Sequence, residues 1–108
     1  MKDTISVVII TKNEERNIRE CLESVKWADE IIVVDDCSTD NTVRICQNYT
    51  DKIYLRKLQG FGEQKQFGLE QASSDWVLFL DADERVTPQL KEEIQDVLQI
   101  SPNYDGFY

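Results

Sequence analysis

Residues Ile5-Ser6-Val7-Val8-Ile9-Ile10-Thr11-Lys12-Asn13-Glu14 decide the fold class. The opening β-branched apolar run is too short for a helix and reads as a strand buried on both faces. Polar residues follow at once. Asn13 can then cap a helix that carries Ile18, Cys21, Leu22 and Val25 at i, i+3, i+4, i+7 spacing.

The same succession recurs downstream. Ile31 to Val34 is a second buried strand, ending at Asp35-Asp36, after which Ser38, Thr39 or Asp40 can cap a helix reaching about Asn48. Ile53 to Leu55 reads as a short third strand, and a helix of weaker periodicity is expected over about Glu63 to Ala72. Trp76 to Leu80 is the fourth strand, closed by Asp81-Ala82-Asp83. Thr87 and Pro88 suit the cap and first turn of a helix bearing Leu90, Ile94, Val97 and Leu98. Trp27 and Trp76 read as packing residues. Alternation of this kind predicts an α/β fold of three layers, α/β/α, with a mainly parallel sheet and helices on both faces. Ser101-Pro102-Asn103 reads as a turn and Tyr104 to Tyr108 as the start of another strand. Residues 1–108 are therefore expected to be one portion of a domain whose remaining strands lie further on.

Composition narrows the function. The chain has 108 residues, with 12 Lys and Arg against 21 Asp and Glu, a formal charge of -9. That balance repels polyanions and argues against a nucleic-acid surface. An acidic protein can still take a phosphate-bearing ligand if a divalent cation bridges the two sets of negative charge. Cys21, Cys37 and Cys46 are odd in number, without CxxC spacing, and the chain has no His, so neither a disulfide framework nor an all-protein zinc site is expected. No apolar run approaches the ~20 residues that a membrane-spanning helix needs. A cytoplasmic protein is expected, with peripheral placement at the inner face of the cytoplasmic membrane as the alternative.

In open parallel sheets, ligands bind beyond the carboxyl ends of the strands. Thr11-Lys12-Asn13-Glu14, Asp35-Asp36-Cys37-Ser38 and Asp81-Ala82-Asp83-Glu84 all stand at such ends and should open on one edge. In an extended stretch Asp81 and Asp83 point the same way, with the small Ala82 between them. Two hard carboxylates suit Mg²⁺ or Mn²⁺, which complete their shells with phosphate and water. The plain alternative is a solvated loop. Asp35 or Asp36 can accept from a uracil N3–H or a ribose hydroxyl, or serve as an Asx-turn or cap, and the two roles can divide between them. Lys65 follows Gly60-Phe61-Gly62 and can reach a phosphate, or be a solvated helix residue.

These segments, in this order, resemble the family-2 inverting glycosyltransferases of the GT-A fold. Thr11 to Glu15, Gly60-Phe61-Gly62 and Asp81 to Val86 are most similar to the branch containing bacterial lipopolysaccharide-core β-glucosyltransferases. The resemblance implies that Thr11, Lys12, Asn13 and Glu14 line a nucleoside pocket and that Asp36 contacts uracil. It also implies that Asp81 touches ribose or donor sugar, with Asp83 the main metal ligand. Lys65 and Gln66 stand where the family commonly has Arg-Asn, Lys12 where many members have Tyr, and Ile10 where Pro is frequent. A UDP-sugar donor, a glycan or lipid-linked acceptor and inversion by direct displacement are implied. The general base is then expected beyond Tyr108, since Glu92, Glu93 and Asp96 should face solvent. A haloacid-dehalogenase-type phosphatase also carries Asp-x-Asp after an apolar strand, but there the motif opens the domain. A receiver-type signalling module needs a Lys on a later strand, and a sugar nucleotidyltransferase needs a Gly-rich basic loop after the first strand, where Thr11 to Glu14 stand.

Overall fold

The structure, a computed structural model, describes residues 3–100. Strands β1 (Ile5–Thr11), β2 (Glu30–Asp35), β3 (Ile53–Leu55) and β4 (Trp76–Asp81) alternate with helices α1 (Ile18–Val25), α2 (Thr42–Cys46), α3 (Phe61–Gln71) and α4 (Pro88–Ile100). The strands form a four-stranded sheet of order β3-β2-β1-β4 in which every pairing is parallel. β1 lies at the centre, with Ile9 opposite Val33 on one side and Leu80 on the other.

Alternate side chains of β1 enter two separate cores. Ile5, Val7 and Ile9 pack with Ile18, Leu22 and Val25 of α1 and with Ile94 and Leu98 of α4. Val8 and Ile10 join Ile32, Val34 and Val77 on the other face, where Phe67 of α3 covers them. Each such fully buried aliphatic side chain stabilises the fold by roughly 1.5–3 kcal/mol relative to exposure. Both faces of β1 are used, which is why its sequence is continuously apolar rather than alternating. Gly68 lets α3 approach the sheet, because a Cβ there would lie 2.4 Å from Val8 Cγ1. Trp76 is buried and Trp27 packs against the larger core, as expected.

The amino-terminal edge of the sheet is closed by one buried carboxylate. Glu30 Oε1 accepts the Ser6 hydroxyl at 2.6 Å and the Ser73 N–H at 3.0 Å, while Oε2 accepts the Ser73 hydroxyl at 3.1 Å and pairs with Lys52. Burial alone pushes this carboxyl up, but Lys52, Ser6 and Ser73 outweigh it and hold the pKa at about 2. The three cysteines are free, and burial first of all raises Cys21 and Cys46 to about 12.

Two local expectations change. Asn13 does not cap α1, which starts after Asn17 without a side-chain cap. Asn13 instead takes a left-handed conformation, φ 49°, that serves the loop described below. The second helix is shorter than expected at 5 residues, and Asp40 secures its start by accepting the Thr42 N–H at 3.0 Å. The strand expected from Tyr104 lies outside the described residues. Among the described residues, no helix is long and apolar enough to cross a membrane.

Candidate functional site

The chain leaves β1 toward β2 on one side, yet β4 returns to its other side. Such a reversal opens a crevice at the carboxyl ends of the strands. A cleft of about 350 Å³ occupies that place. Thr11, Lys12 and Glu14 enter it from the end of β1, Asp36 from β2, and Asp81, Ala82 and Asp83 from β4. The three polar strand ends predicted to share an edge therefore do share one.

Long-range hydrogen bonds hold the two loops beside β1 and β2 together. The Asn13 N–H donates to Ser38 Oγ at 2.8 Å, and Asn13 Oδ1 accepts the Thr39 N–H at 2.8 Å. The Glu14 N–H donates to Thr42 Oγ1 at 2.9 Å. Asn13 at φ 49° and Cys37 at φ 50° are the non-glycine residues with left-handed backbone among the described residues, one in each loop. Asn13 itself is spent on this seam, and Thr11, Lys12 and Glu14 are left to face the cleft.

The adjacent acids divide their work. Asp35 is fully buried, its Oδ2 accepting the Ser38 N–H at 2.7 Å and its Oδ1 the Ser38 hydroxyl at 2.6 Å. It shapes the turn, one of the two roles expected to divide between these acids, and it does not line the cleft. Asp36 does line the cleft. Its Oδ1 accepts the Leu58 N–H at 2.7 Å, and Lys12 Nζ stands 3.5 Å from its Oδ2.

Asp81 and Asp83 meet in the cleft by a different route from the one expected. The strand ends at Asp81 and the chain turns, with the Glu84 N–H donating to the Asp81 carbonyl at 2.9 Å and the Asp81 N–H to Glu84 Oε1 at 2.8 Å. A tight turn, not an extended run, brings the two carboxylates together. Ala82 is buried between them. The Asp81 carboxyl is raised above the usual carboxylate range, first by burial and then by Glu84, Asp83 and Glu14, against a lowering pull from Lys65. Its neighbourhood thus holds more negative charge than it neutralises, a setting that favours a cation.

Lys65 lies beside Asp81 and Glu84 in an adjoining hollow, within electrostatic reach of the site. Gln66 is not brought there. It sits on the outer side of α3 near Arg56 and Phe67, with its amide 3.5 Å from Glu70. Helical rotation separates the two neighbours.

Three further features bear on ligand binding. Thr11 Oγ1 is buried at the cleft without a hydrogen-bond partner among the described residues. Leu58 and Phe61, missed in the sequence, form an apolar wall, and Phe61 is 66% exposed. The available signal was the aromatic set between Gly60 and Gly62 ahead of the helix. Among the described residues no cluster of three or more His, Cys, Asp or Glu could hold a metal unaided. Asp81 and Asp83 nevertheless fit a hard cation that draws its remaining ligands from phosphate and water.

A parallel sheet with a paired-acid cleft at its reversal point defines an α/β class whose ligands bind beyond the carboxyl ends of the strands. Comparison with known proteins narrows the class: the chain belongs to glycosyl transferase family 2, whose profile matches residues 6–105. It is 42% identical over 104 residues to an uncharacterised glycosyltransferase of Rickettsia typhi, covering 95% of this chain and 35% of the relative. It is 37% identical over 108 residues to the lipopolysaccharide core biosynthesis glycosyltransferase LpsC of Rhizobium meliloti, covering 95% of this chain and 40% of that protein. The crystal structure of S. aureus TarS in complex with UDP superposes with a TM-score of 0.70 and 33% identity, over 87% of this chain and 32% of that one. The chain thus spans about a third of the length of such relatives. The architecture is the GT-A one that the resemblance implied, and the phosphatase, receiver and nucleotidyltransferase readings fall away.

Proposed function

We propose that residues 1–108 form the donor-binding portion of an enzyme that moves a sugar from a nucleoside-diphosphate sugar, with UDP-sugar favoured, to a glycan or lipid-linked acceptor with inversion. The observation that carries this reading is the cleft itself. It places a hydrogen-bond acceptor, Asp36, at one side of β1 and the Asp81–Asp83 pair at the other. A nucleoside held at the first side extends its diphosphate toward the second. The names of LpsC and of TarS with UDP support the donor class and a role in cell-envelope polysaccharide or lipopolysaccharide synthesis. Cytoplasmic placement, peripheral at the inner face of the membrane as the alternative, is part of the same proposal.

In this reading Asp36 Oδ2 accepts from the base and Thr11 Oγ1 gains the partner it lacks. Asp83 is the principal ligand of Mg²⁺ or Mn²⁺, and Asp81 shares that task or accepts from a sugar hydroxyl. A bound cation would neutralise charge on the departing diphosphate. Lys65 adds positive charge beside Asp81, and Ala82 keeps the wall between the acids low. Asn13 and Asp35 act through the loops that they hold, and Gln66 stands apart. Displacement with inversion also needs a base for the acceptor hydroxyl. Glu92 and Glu93 on α4 are exposed, as is Asp96, and none lines the cleft. On this reading none of these three acids serves as that base.

Calorimetric titration with UDP, CDP and GDP, each with Mg²⁺ or with EDTA, tests the proposal. UDP binding that requires the cation supports it. Absence of binding to any nucleoside diphosphate removes it.

A further inference from the structure

We infer, on the reading in which Asp83 and Asp81 hold a divalent cation, that Ser24 of α1 is a positioning residue for that pair. Its hydroxyl fixes the backbone that carries Asp83, although Ser24 itself does not line the cleft.

Helix α1 meets the connection between β4 and α4 along one side. Glu20 and Cys21 lie four and three residues before Ser24, which puts all three on one side of the helix. The Cys21 thiol donates to the Asp81 carbonyl at 3.8 Å. The Ser24 hydroxyl oxygen accepts the Val86 N–H at 3.0 Å. Glu20 pairs with Arg85. Asp83 is thus strung between the ties at Asp81 and Val86, in a stretch that belongs to neither β4 nor α4. Its first half is closed on itself, since the Glu84 N–H donates to the Asp81 carbonyl at 2.9 Å. Its second half is held by α1. Of the three ties the one from Ser24 matters most, because a thiol is a weak donor and the side chains of Glu20 and Arg85 are 57% and 54% exposed.

Simple back-bonding is the competing role, in which a helical serine donates to a carbonyl of the preceding turn and does nothing more. Ser24 does donate to the Cys21 carbonyl, at 2.7 Å. That bond sets the hydroxyl's rotor and leaves its lone pairs for the Val86 N–H. Packing of the buried Val86 side chain places the segment, and the hydrogen bond then orients its peptide. Orientation matters here because groups that build a cation site must be held within about 0.5 Å of their working geometry.

Ser24→Val and Ser24→Thr are the deciding variants, alike in shape and different in the hydroxyl. Calorimetry measures UDP binding to each in Mn²⁺ and in EDTA, well below the thermal midpoint. Ser24→Val should weaken UDP roughly fivefold in Mn²⁺, as for one lost neutral hydrogen bond, and change it little in EDTA. Ser24→Thr should keep the wild-type affinity. A merely structural role lowers the thermal midpoint of Ser24→Val and leaves its affinity in Mn²⁺ unchanged, which overturns the inference. Equal weakening in Mn²⁺ and EDTA, or equal weakening by Val and Thr, overturns it too. A second measurement uses wild type and needs no variant to fold. Coupling between two events is reciprocal, so the cation should slow hydrogen exchange of the Val86 amide by roughly the same factor, relative to that of Ile32 in the sheet, when Mg²⁺ replaces EDTA in the presence of UDP. Unchanged relative exchange refutes the tie. Wild-type UDP binding indifferent to the cation removes the cation reading itself.

Discussion

Asp35 and Ser38 form a closed unit in which one carboxylate accepts both the backbone N–H and the hydroxyl of the same residue, at 2.7 and 2.6 Å. Asp35 is thereby held in the turn, and Asp36, one residue on, lines the cleft. The two acids should respond differently to the same substitution. Asp35→Asn forces an amide against a donor and should lower stability by about 1–3 kcal/mol. Asp36→Asn should leave the thermal midpoint nearly unchanged and weaken UDP. Thermal unfolding and calorimetry on both variants check this, and equal unfolding losses would contradict the division of roles.

Asp83→Asn should weaken UDP-sugar binding at least tenfold, about 1.4 kcal/mol, in Mg²⁺ or Mn²⁺ and change little in EDTA. The amide keeps one acceptor oxygen but loses the charge that holds a cation. Asp81→Asn should act more mildly if its task is a hydrogen bond to sugar. Wild-type affinity in both variants, with and without metal, would make the turn a solvated loop.

Gly68→Ala sets helix propensity against sterics. Ala gains about 1 kcal/mol over Gly within a helix. Here the new methyl would lie 2.4 Å from Val8 Cγ1, on a stiff, fully buried side chain. Overpacking at roughly 1–3 kcal/mol should win, giving a net loss by denaturant titration. The Val8→Ala background should turn that loss into a gain.

Glu30 should make stability depend on acid pH. Its folded pKa of about 2 lies below the ordinary 4.5. A depressed carboxyl stabilises the fold fully above the unfolded value and loses that contribution as pH falls through the folded one. Wild type should therefore exceed Glu30→Gln by a constant margin at neutral pH. The margin should shrink from about pH 4.5 downward and vanish near 2. Thermal midpoints across that range measure it, and a pH-independent margin would place the stabilisation in packing.

Much of this protein is legible in its sequence for a physical reason. Ile5 to Ile10, Ile31 to Val34 and Trp76 to Leu80 are apolar without interruption because strands covered on both faces have no solvent side. Once those runs are parallel, their polar ends must open on one edge, so the segments beginning at Thr11, Asp35 and Asp81 could be brought to a common edge from the sequence alone. Tertiary structure decided how neighbours part company. Asp35 and Asp36 differ because the chain leaves β2 through a left-handed Cys37 onto a seam with Asn13. Lys65 and Gln66 differ by the rotation of α3 against the sheet, and Lys12 meets Asp36 only across adjacent strand ends. Burial periodicity is local and is written along the chain. The direction of a side chain leaving a strand is set by hydrogen bonds to residues far away in sequence, and those exist only in the folded protein.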